Sequence, residues 1–139
     1  VLENCVKGDI QPIKQDDSKA TYCWQKDISK ENAQIKWDEM EPEYIERLVR
    51  AMIPWPVAWC VLDRNIQESI SNKVVKLFEV ELISDTSTLK PGSLYSKDGM
   101  LLFKTKKEGV SLRVKELQIE GKNIVKERDL INGIGKILS

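Results

Sequence analysis

The segment from Arg50 to Trp59 constrains the fold more than any other part of the chain, because it contains two prolines around a tryptophan. Pro54 lacks an amide hydrogen and disfavours the α conformation at the residue before it, so a helix that enters this segment must end there. Pro56 repeats the restriction and holds Trp55 in an extended bend. We therefore expect a helix before this corner, a strand after it and packing around the tryptophans.

A helix is predicted over residues 41–53, because apolar side chains recur there at helical spacing. They are Tyr44, Ile45, Leu48, Val49 and Met52. On the opposite face Glu43 precedes Arg47 by four residues, which favours an ion pair. Glu46 precedes Arg50 at the same spacing, so two such pairs are expected. The alternative is that Arg47 and Arg50 bind an external anion.

Short segments of alternating hydrophobicity follow the corner, and turn residues separate them. We predict strands over residues 58–62, 73–83, 93–96, 100–105 and 110–120. Two shorter extended pieces are expected earlier, over residues 20–24 and 33–37. Asp98 and Gly99 form a two-residue hairpin signal, and a short helix is predicted over residues 129–137.

In two of the predicted strands the alternation of apolar and polar residues shifts by one position partway along the strand. It slips at Leu77-Phe78, which indicates either a β-bulge or a strand buried on both faces. It slips again at Lys115-Glu116, which indicates a β-bulge. Short bulged strands that avoid open edges are typical of small barrels. The predicted fold is mainly β, a small open OB-like Greek-key β-barrel with one helix on its N-terminal side and one short C-terminal helix. A β-sandwich is the second choice.

The first residues of the chain differ from the rest. Residues 2–7 have the pattern of the last turns of a helix, and Gly8 is placed to close it. We expect residues 1–19 to be the remnant of a preceding domain's helix plus a linker, and residues 20–139 to be one barrel domain. Because the chain begins at Val1 rather than Met, we also expect it to be part of a longer protein.

The residue types that are missing exclude several chemistries. The chain has no histidine, so it cannot form a Ser-His or Cys-His dyad, and neither G-x-x-x-x-G-K nor G-x-G-x-x-G occurs in it. Its three cysteines are widely spaced, which predicts free thiols in a cytoplasmic protein rather than a zinc site. No apolar run approaches the roughly 20 residues of a membrane span. We expect no metal and no membrane contact, and no catalytic residue or cofactor within this chain.

The net charge of zero hides an asymmetry between the two halves of the chain. Residues 1–85 contain 11 Lys and Arg against 16 Asp and Glu, whereas residues 86–139 contain 11 against 6. A basic C-terminal half favours an anionic partner. A solvated, lysine-rich surface is the alternative for any single lysine.

Several short motifs follow one another in a specific order. They are Lys19-Ala20-Thr21-Tyr22, Ile28-Ser29-Lys30-Glu31, Ile35-Lys36-Trp37, Arg47-x-x-Arg50-Ala51, Pro54-Trp55-Pro56-x-Ala58-Trp59, Pro91-Gly92, Asp98-Gly99-Met100-Leu101, Glu116-Leu117-Gln118-Ile119-Glu120-Gly121-Lys122 and Asp129-Leu130-Ile131-Asn132-Gly133. Each motif is weak alone. The ordered set covers nearly the whole chain and resembles the C-terminal domain of the methionyl-tRNA formyltransferase family.

This resemblance implies an OB-like barrel that a linker joins to an N-terminal Rossmann-like domain. In the family that domain binds 10-formyltetrahydrofolate and carries an Asn-His-Asp catalytic set, which cannot be carried over to a chain without histidine. The family's barrel offers a basic surface to the acceptor arm of initiator tRNA. The implied partners are therefore initiator tRNA and the chain's own N-terminal catalytic domain. Val57 stands where the family usually has glycine, so a left-handed backbone is not expected there.

Two functions follow from the resemblance. In the first, the chain binds RNA through basic residues on the late strands and turns. The candidate phosphate contacts are Lys104, Lys106, Lys107, Arg113, Lys115, Lys122 and Lys126. Tyr22, Trp24 or Tyr95 could stack on an unpaired base, with packing against the protein as the alternative for each. In the second, the chain is the structural or subunit-contact domain of a sugar N-formyltransferase, a family with a similar two-domain plan.

Overall fold

The computed structural model describes residues 8, 11–62 and 71–134. Two helices and six strands follow one another in this part of the chain. They are α1 (Pro42–Ala51), β1 (Trp59–Val61), β2 (Val74–Ser84), β3 (Leu94–Lys97), β4 (Met100–Lys104), β5 (Val110–Ile119), β6 (Ile124–Lys126) and α2 (Glu127–Ile134). Single turns of 3-10 helix, Asp17–Lys19 and Gln25–Asp27, precede them. Neither of the described α-helices is long and apolar enough to cross a membrane.

Some sequence predictions fall at the limits of the described residues. The helix predicted over residues 2–7 lies outside them, as does Cys5. Gly8 is described and has a left-handed φ of 73°, the conformation that a helix-closing glycine adopts. The second predicted helix begins two residues early, at Glu127, and the end of its predicted range lies outside the described residues.

All six strands belong to one antiparallel sheet, in which the main path runs β1-β2-β5-β4-β3. β5 is central, because β2 pairs along one of its edges while β4 and β6 share the other. β4 lies opposite residues 111–113 and β6 opposite residues 116–118. The predicted mainly-β fold with two helices is confirmed. Over the described residues the sheet ends at β1 and β3 and stays open rather than closing into a barrel.

Both predicted β-bulges are confirmed, and they compensate each other. The β2–β5 ladder is in one register on either side of a short irregular stretch. Within that stretch Phe78 is the extra residue on β2 and Lys115 is the extra residue on β5. Because the extra residue on β2 is matched by one on β5, the pairing register is restored after the bulges. The apolar positions of both strands therefore stay on the same face of the sheet.

The hydrophobic core lies between α1 and one face of the sheet, where α1 contacts β2 and β5. The helix begins at Pro42, whose missing amide hydrogen costs nothing in the first turn. Four positions of the predicted stripe are buried, and each contributes about 1.5–3 kcal/mol of transfer free energy. They are Ile45, Leu48, Val49 and Met52. The fifth, Tyr44, is half exposed.

Trp37 joins this core to the loop before β3. Its indole stacks on Phe103 with ring centroids 4.8 Å apart and planes inclined by 20°. Gly92 lies against the same indole, because a Cβ atom at Gly92 would be 2.7 Å from Cδ1 of Trp37. The φ of Gly92 is 82°, so both the backbone and the space at this position require glycine.

The proline corner after α1 departs from the sequence prediction. The peptide bonds before Pro54 and Pro56 are both cis, and Val57 has a left-handed φ of 67°. The expectation that Val57 avoids this conformation is therefore wrong. Its amide donates a hydrogen bond to the Met52 carbonyl oxygen (2.8 Å) and its side chain is buried, so tertiary contacts outweigh the local preference of a β-branched residue. The expectation that Trp55 packs against the rest of the protein is also wrong, since its side chain is 60% exposed.

The two short extended pieces have different outcomes. Residues 20–24 are extended at Ala20 and Trp24 but join no strand of the described sheet, so their β prediction is wrong. In residues 33–37 a single parallel bridge links Gln34 to Trp59 at the edge of β1. Periodicity also misses β6, because three residues are too few to show a period.

Candidate nucleic-acid interface

Two of the predicted phosphate contacts lie in the turn after β4 and are paired with acids at the start of α1. Lys106 Nζ is 2.7 Å from Glu41 Oε1, and it also donates to the Glu39 carbonyl oxygen at 2.8 Å. Lys107 Nζ is 2.8 Å from Glu43 Oε1. These contacts join the basic turn to the acidic first turn of the helix. The two lysines therefore already have anionic partners within the chain.

The ion pairs along α1 therefore differ from those predicted from the sequence. Because Glu43 is bound to Lys107, it makes no ion pair with Arg47 among the described residues, so that predicted pair is wrong. The hydrogen bond from Lys107 is the main reason that the pKa of the Glu43 carboxyl is lowered. The second predicted pair is confirmed, with Arg50 Nε 2.7 Å from Glu46 Oε1.

Two more predicted contacts lie on the outer face of β5 and are neutralised by acids of β2 and α2. Arg113 Nη2 is 2.8 Å from Glu127 Oε2, and its Nη1 is 3.0 Å from Glu81 Oε1. Lys115 Nζ is 2.5 Å from Glu81 Oε2, and this hydrogen bond is the main reason that the pKa of Glu81 is lowered. Glu127 also accepts a hydrogen bond from the Leu101 amide (2.8 Å), which ties α2 to β4.

The remaining three predicted contacts differ in exposure. Lys104 is only 4% exposed, and its ammonium group lies near the main-chain carbonyl oxygens of Lys107 and Val110. Lys122 precedes β6 and Lys126 is its last residue; both are exposed and form no ion pair within the described residues. The seven residues therefore do not form one free basic face. Their role in RNA binding stays a prediction, and only the last two have an unpaired charge at the surface.

An exposed aromatic cluster lies in the part of the chain before α1. Tyr22 is 84% exposed and Trp24 is 60% exposed, and their rings stack with centroids 6.3 Å apart and planes inclined by 26°. Lys26 Nζ lies 5.8 Å from the Trp24 ring centroid, within the range of a cation–π contact. The Trp24 amide donates to Asp27 Oδ2 (2.8 Å), which fixes the 3-10 turn that carries Lys26. We call Tyr22, Trp24 and Lys26 the aromatic platform.

A groove of about 540 Å³ continues from the aromatic platform to the proline corner. Gln25, Lys26, Ile28 and Trp55 line it. Sequence reasoning selected Tyr22 and Trp24 but missed Lys26 and Trp55. The Trp-x-Lys spacing of residues 24–26 is a weak signal for Lys26, and no sequence signal brings the corner beside it.

Tyr95, the third stacking candidate, is held in a polar cluster. Its hydroxyl donates to Asp85 Oδ2 (2.5 Å) and lies 2.8 Å from Ser111 Oγ. Burial and the bond to Asp85 raise the pKa of Tyr95 to about 12. Lys97 Nζ donates to Asp85 Oδ1 (2.8 Å), and the bonds from Lys97 and Tyr95 hold the pKa of that carboxyl well below its ordinary value. The cluster connects the end of β2 to β3 and β5, which is a structural role.

The fold and the site define a small mainly-β domain. Most of the predicted basic contacts are paired with acids of the same chain, whereas the aromatic platform, Lys122 and Lys126 are exposed. A family model described as "Formyl transferase, C-terminal domain" matches residues 27–135. The chain belongs to this family.

Individual relatives agree with this assignment. A methionyl-tRNA formyltransferase of Clostridium novyi is 33% identical over 132 residues, which are 95% of this chain and 39% of the relative. One from Geobacter metallireducens is 33% identical over 134 residues, which are 95% of this chain and 38% of the relative. The chain thus spans about two fifths of the length of these curated relatives.

A solved structure supports the fold alone. HypX from Aquifex aeolicus, in complex with tetrahydrofolic acid, matches 99% of this chain and 22% of its own, with a TM-score of 0.60 and 19% identity. At this identity the similarity concerns the path of the backbone and not the chemistry of side chains.

Proposed function

We propose that this chain is the domain of a methionyl-tRNA formyltransferase that holds initiator tRNA in place. Another domain, which binds 10-formyltetrahydrofolate, then transfers the formyl group to the methionyl amino group. Such a protein would act in the cytoplasm at translation initiation. Relatives with this name at 33% identity over 95% of the chain support the proposal.

The aromatic platform is the observation that carries the RNA contact. Exposed aromatic rings stack on unpaired bases of any sequence, and each stacked base contributes about 1–3 kcal/mol. Such bases are found at single-stranded loops and ends of RNA. Lys26 adds a positive charge at the same place, and the rings of Tyr22 and Trp24 already stack on each other in the chain without RNA. A preformed platform loses less conformational entropy on binding.

The domain would contribute positioning rather than chemistry. Holding the aminoacylated 3′ end near the formyl donor makes the encounter intramolecular, and well-oriented encounters of this kind are worth up to about 7–11 kcal/mol. Interactions of the chain with tRNA supply the binding free energy for that orientation. The exposed charges of Lys122 and Lys126 would add salt-dependent contacts with phosphates.

The proposal is tested by titrating labelled initiator tRNA with the chain and following fluorescence anisotropy at about 50 and 200 mM salt. We expect binding at low salt that weakens by a log–log slope of about −0.7 to −0.9 for each phosphate neutralised. Trp24→Ala should weaken binding about 5- to 150-fold, the equivalent of one lost stacking contact. Ile13→Ala is the matched control, because Ile13 is 95% exposed in the same segment and has no ring.

Two results would overturn parts of this proposal. Absence of binding at low salt would refute the RNA-positioning function. Equal effects of Trp24→Ala and Ile13→Ala would refute the role of the aromatic platform while leaving RNA binding elsewhere on the chain.

A second candidate function rests on the exposed apolar side chains near the proline corner. Ile28 and Trp55 line the groove there, and Ile53 is also exposed. Exposed apolar clusters often mark protein–protein contacts, as the subunit-contact domain of a sugar N-formyltransferase would require. Sedimentation equilibrium separates the two functions, since a stable dimer without RNA affinity would favour the second.

A further inference from the structure

Asp85 and Lys104 are the two buried charged residues among those the structure describes, and they do not pair with each other. Asp85 is fully engaged by other groups. Its carboxylate accepts hydrogen bonds from Lys97, Tyr95 and Ser111, and from the amide of Ser87 at 3.0 Å. The negative charge of Asp85 is therefore balanced without Lys104.

Lys104 has a weaker set of partners. Its Nζ lies 3.3 Å from the Val110 carbonyl oxygen and 3.5 Å from that of Lys107. Both distances exceed the usual range of about 2.7–3.2 Å, and an ammonium group has three hydrogens to donate. No carboxylate of the described chain lies within ion-pair distance of it. A buried charge without a counterion is costly, so an anion beside Lys104 would be stabilised.

The space for such an anion exists. Lys104 lines a groove of about 520 Å³ with the loop after β2 and the turn after β4. Thr86 and Thr88 line the same groove, and their hydroxyls make no hydrogen bond with the described residues. Lys106 also lines the groove, but its charge is already paired with Glu41 at 2.7 Å. Glu108 also lines the groove, but its side chain is exposed, where water screens its charge.

We propose that Lys104, Thr86 and Thr88 form a binding site for a phosphoryl group. The ammonium group of Lys104 supplies the positive charge, and the two hydroxyls donate hydrogen bonds to phosphoryl oxygens, which accept from several donors at once. Both a phosphodiester of RNA and free phosphate present this chemistry. The RNA source rests on the proposed function, whereas the site itself does not.

The test uses the ¹⁵N-labelled chain, titrated with inorganic phosphate at constant ionic strength and compared with sodium chloride. We expect saturable shifts of the amide signals of Thr86, Ser87, Thr88 and Gly109. Lys104→Met should weaken phosphate binding about 10- to 100-fold, since a hydrogen bond to a charged group is lost. Lys90→Met is the matched control, because Lys90 is an exposed lysine in the neighbouring loop and does not line the groove.

A second variant keeps the proposal testable if Lys104→Met does not fold. Thr88→Val removes one hydroxyl at an exposed position, and it should weaken phosphate binding several-fold with an otherwise unchanged spectrum. Absence of saturable shifts in the unmodified chain would overturn the proposal. Shifts that persist unchanged in Lys104→Met or in Thr88→Val would also overturn it.

Competition with a short single-stranded RNA distinguishes the two sources. RNA that displaces phosphate from these amides supports a phosphodiester as the ligand, and RNA that leaves them unchanged supports free phosphate. If phosphate binds here while initiator tRNA does not bind the chain, the proposed function fails and the phosphoryl site stands.

Discussion

Replacing Gly92 by alanine should destabilise the chain through two separate effects. Alanine at a φ of 82° costs about 1–2 kcal/mol of backbone free energy. Its Cβ would also lie 2.7 Å from Cδ1 and 3.0 Å from Cγ of Trp37. That indole cannot move away freely, because it is buried and stacked on Phe103. Forcing an extra carbon into such packing costs about 1–3 kcal/mol, so we expect a total loss of about 2–5 kcal/mol.

Gly99→Ala is the matched control, because Gly99 has a φ of 72° and a Cβ atom there would meet nothing within 4 Å beyond its chain neighbours. It carries the backbone cost alone. Urea denaturation followed by tryptophan fluorescence measures the free energy of unfolding of both variants. The difference between them reports the clash with Trp37. Equal losses for Gly92→Ala and Gly99→Ala, within about 0.5 kcal/mol, would refute the close-packing argument.

Two further predictions concern buried polar groups. Asp85→Asn should cost about 2–4 kcal/mol near pH 7, because Lys97 and Tyr95 lose their anionic partner. Since the folded pKa of Asp85 is lowered, its stabilisation is complete above the unfolded pKa of about 4 and is lost as pH falls below it. The stability difference between the variant and the unmodified chain should therefore shrink below about pH 4 in urea titrations, and a constant difference would contradict the assignment. Burial raises the pKa of the Cys60 thiol to about 12, so a thiol reagent should label exposed Cys23 in the native chain and Cys60 only in denaturant, as peptide mass mapping would show. Native labelling of Cys60 would mean that the core opens at β1.

Local signals predicted most of the fold correctly. The helix that becomes α1 is marked by a stripe of apolar residues, and its end is marked by Pro54. Asp98 and Gly99 both have left-handed φ values, of 52° and 72°, as a two-residue hairpin turn requires. A shift in the alternation of apolar residues also marked the position of both β-bulges, and the strand pairing then distinguished a bulge in β2 from a strand buried on both faces. These features depend on residues a few positions apart, which a single sequence contains in full.

The errors arose where distant contacts outweigh local preference. Val57 adopts a left-handed backbone because its amide bonds to Met52 and its side chain is buried. Residues 20–24 have β-forming side chains but find no strand partner among the described residues. The candidate site was predicted in part, since Tyr22 and Trp24 are exposed as a stacking role needs. Whether each lysine is free to bind an anion could not be predicted, because this depends on which acidic side chain the fold places beside it.

Composition and periodicity were enough to establish a mainly-β domain with an acidic first half and a basic second half. Folding then decided where those charges go. α1 brings Glu41 and Glu43 to the basic turn after β4, and the β2–β5 ladder places Glu81 beside Arg113. The physical reason is that periodicity arises within one element, whereas ion pairs form between elements that the sheet brings together. The same assembly left Lys104 buried without a counterion among the described residues, a property that no stretch of sequence contains.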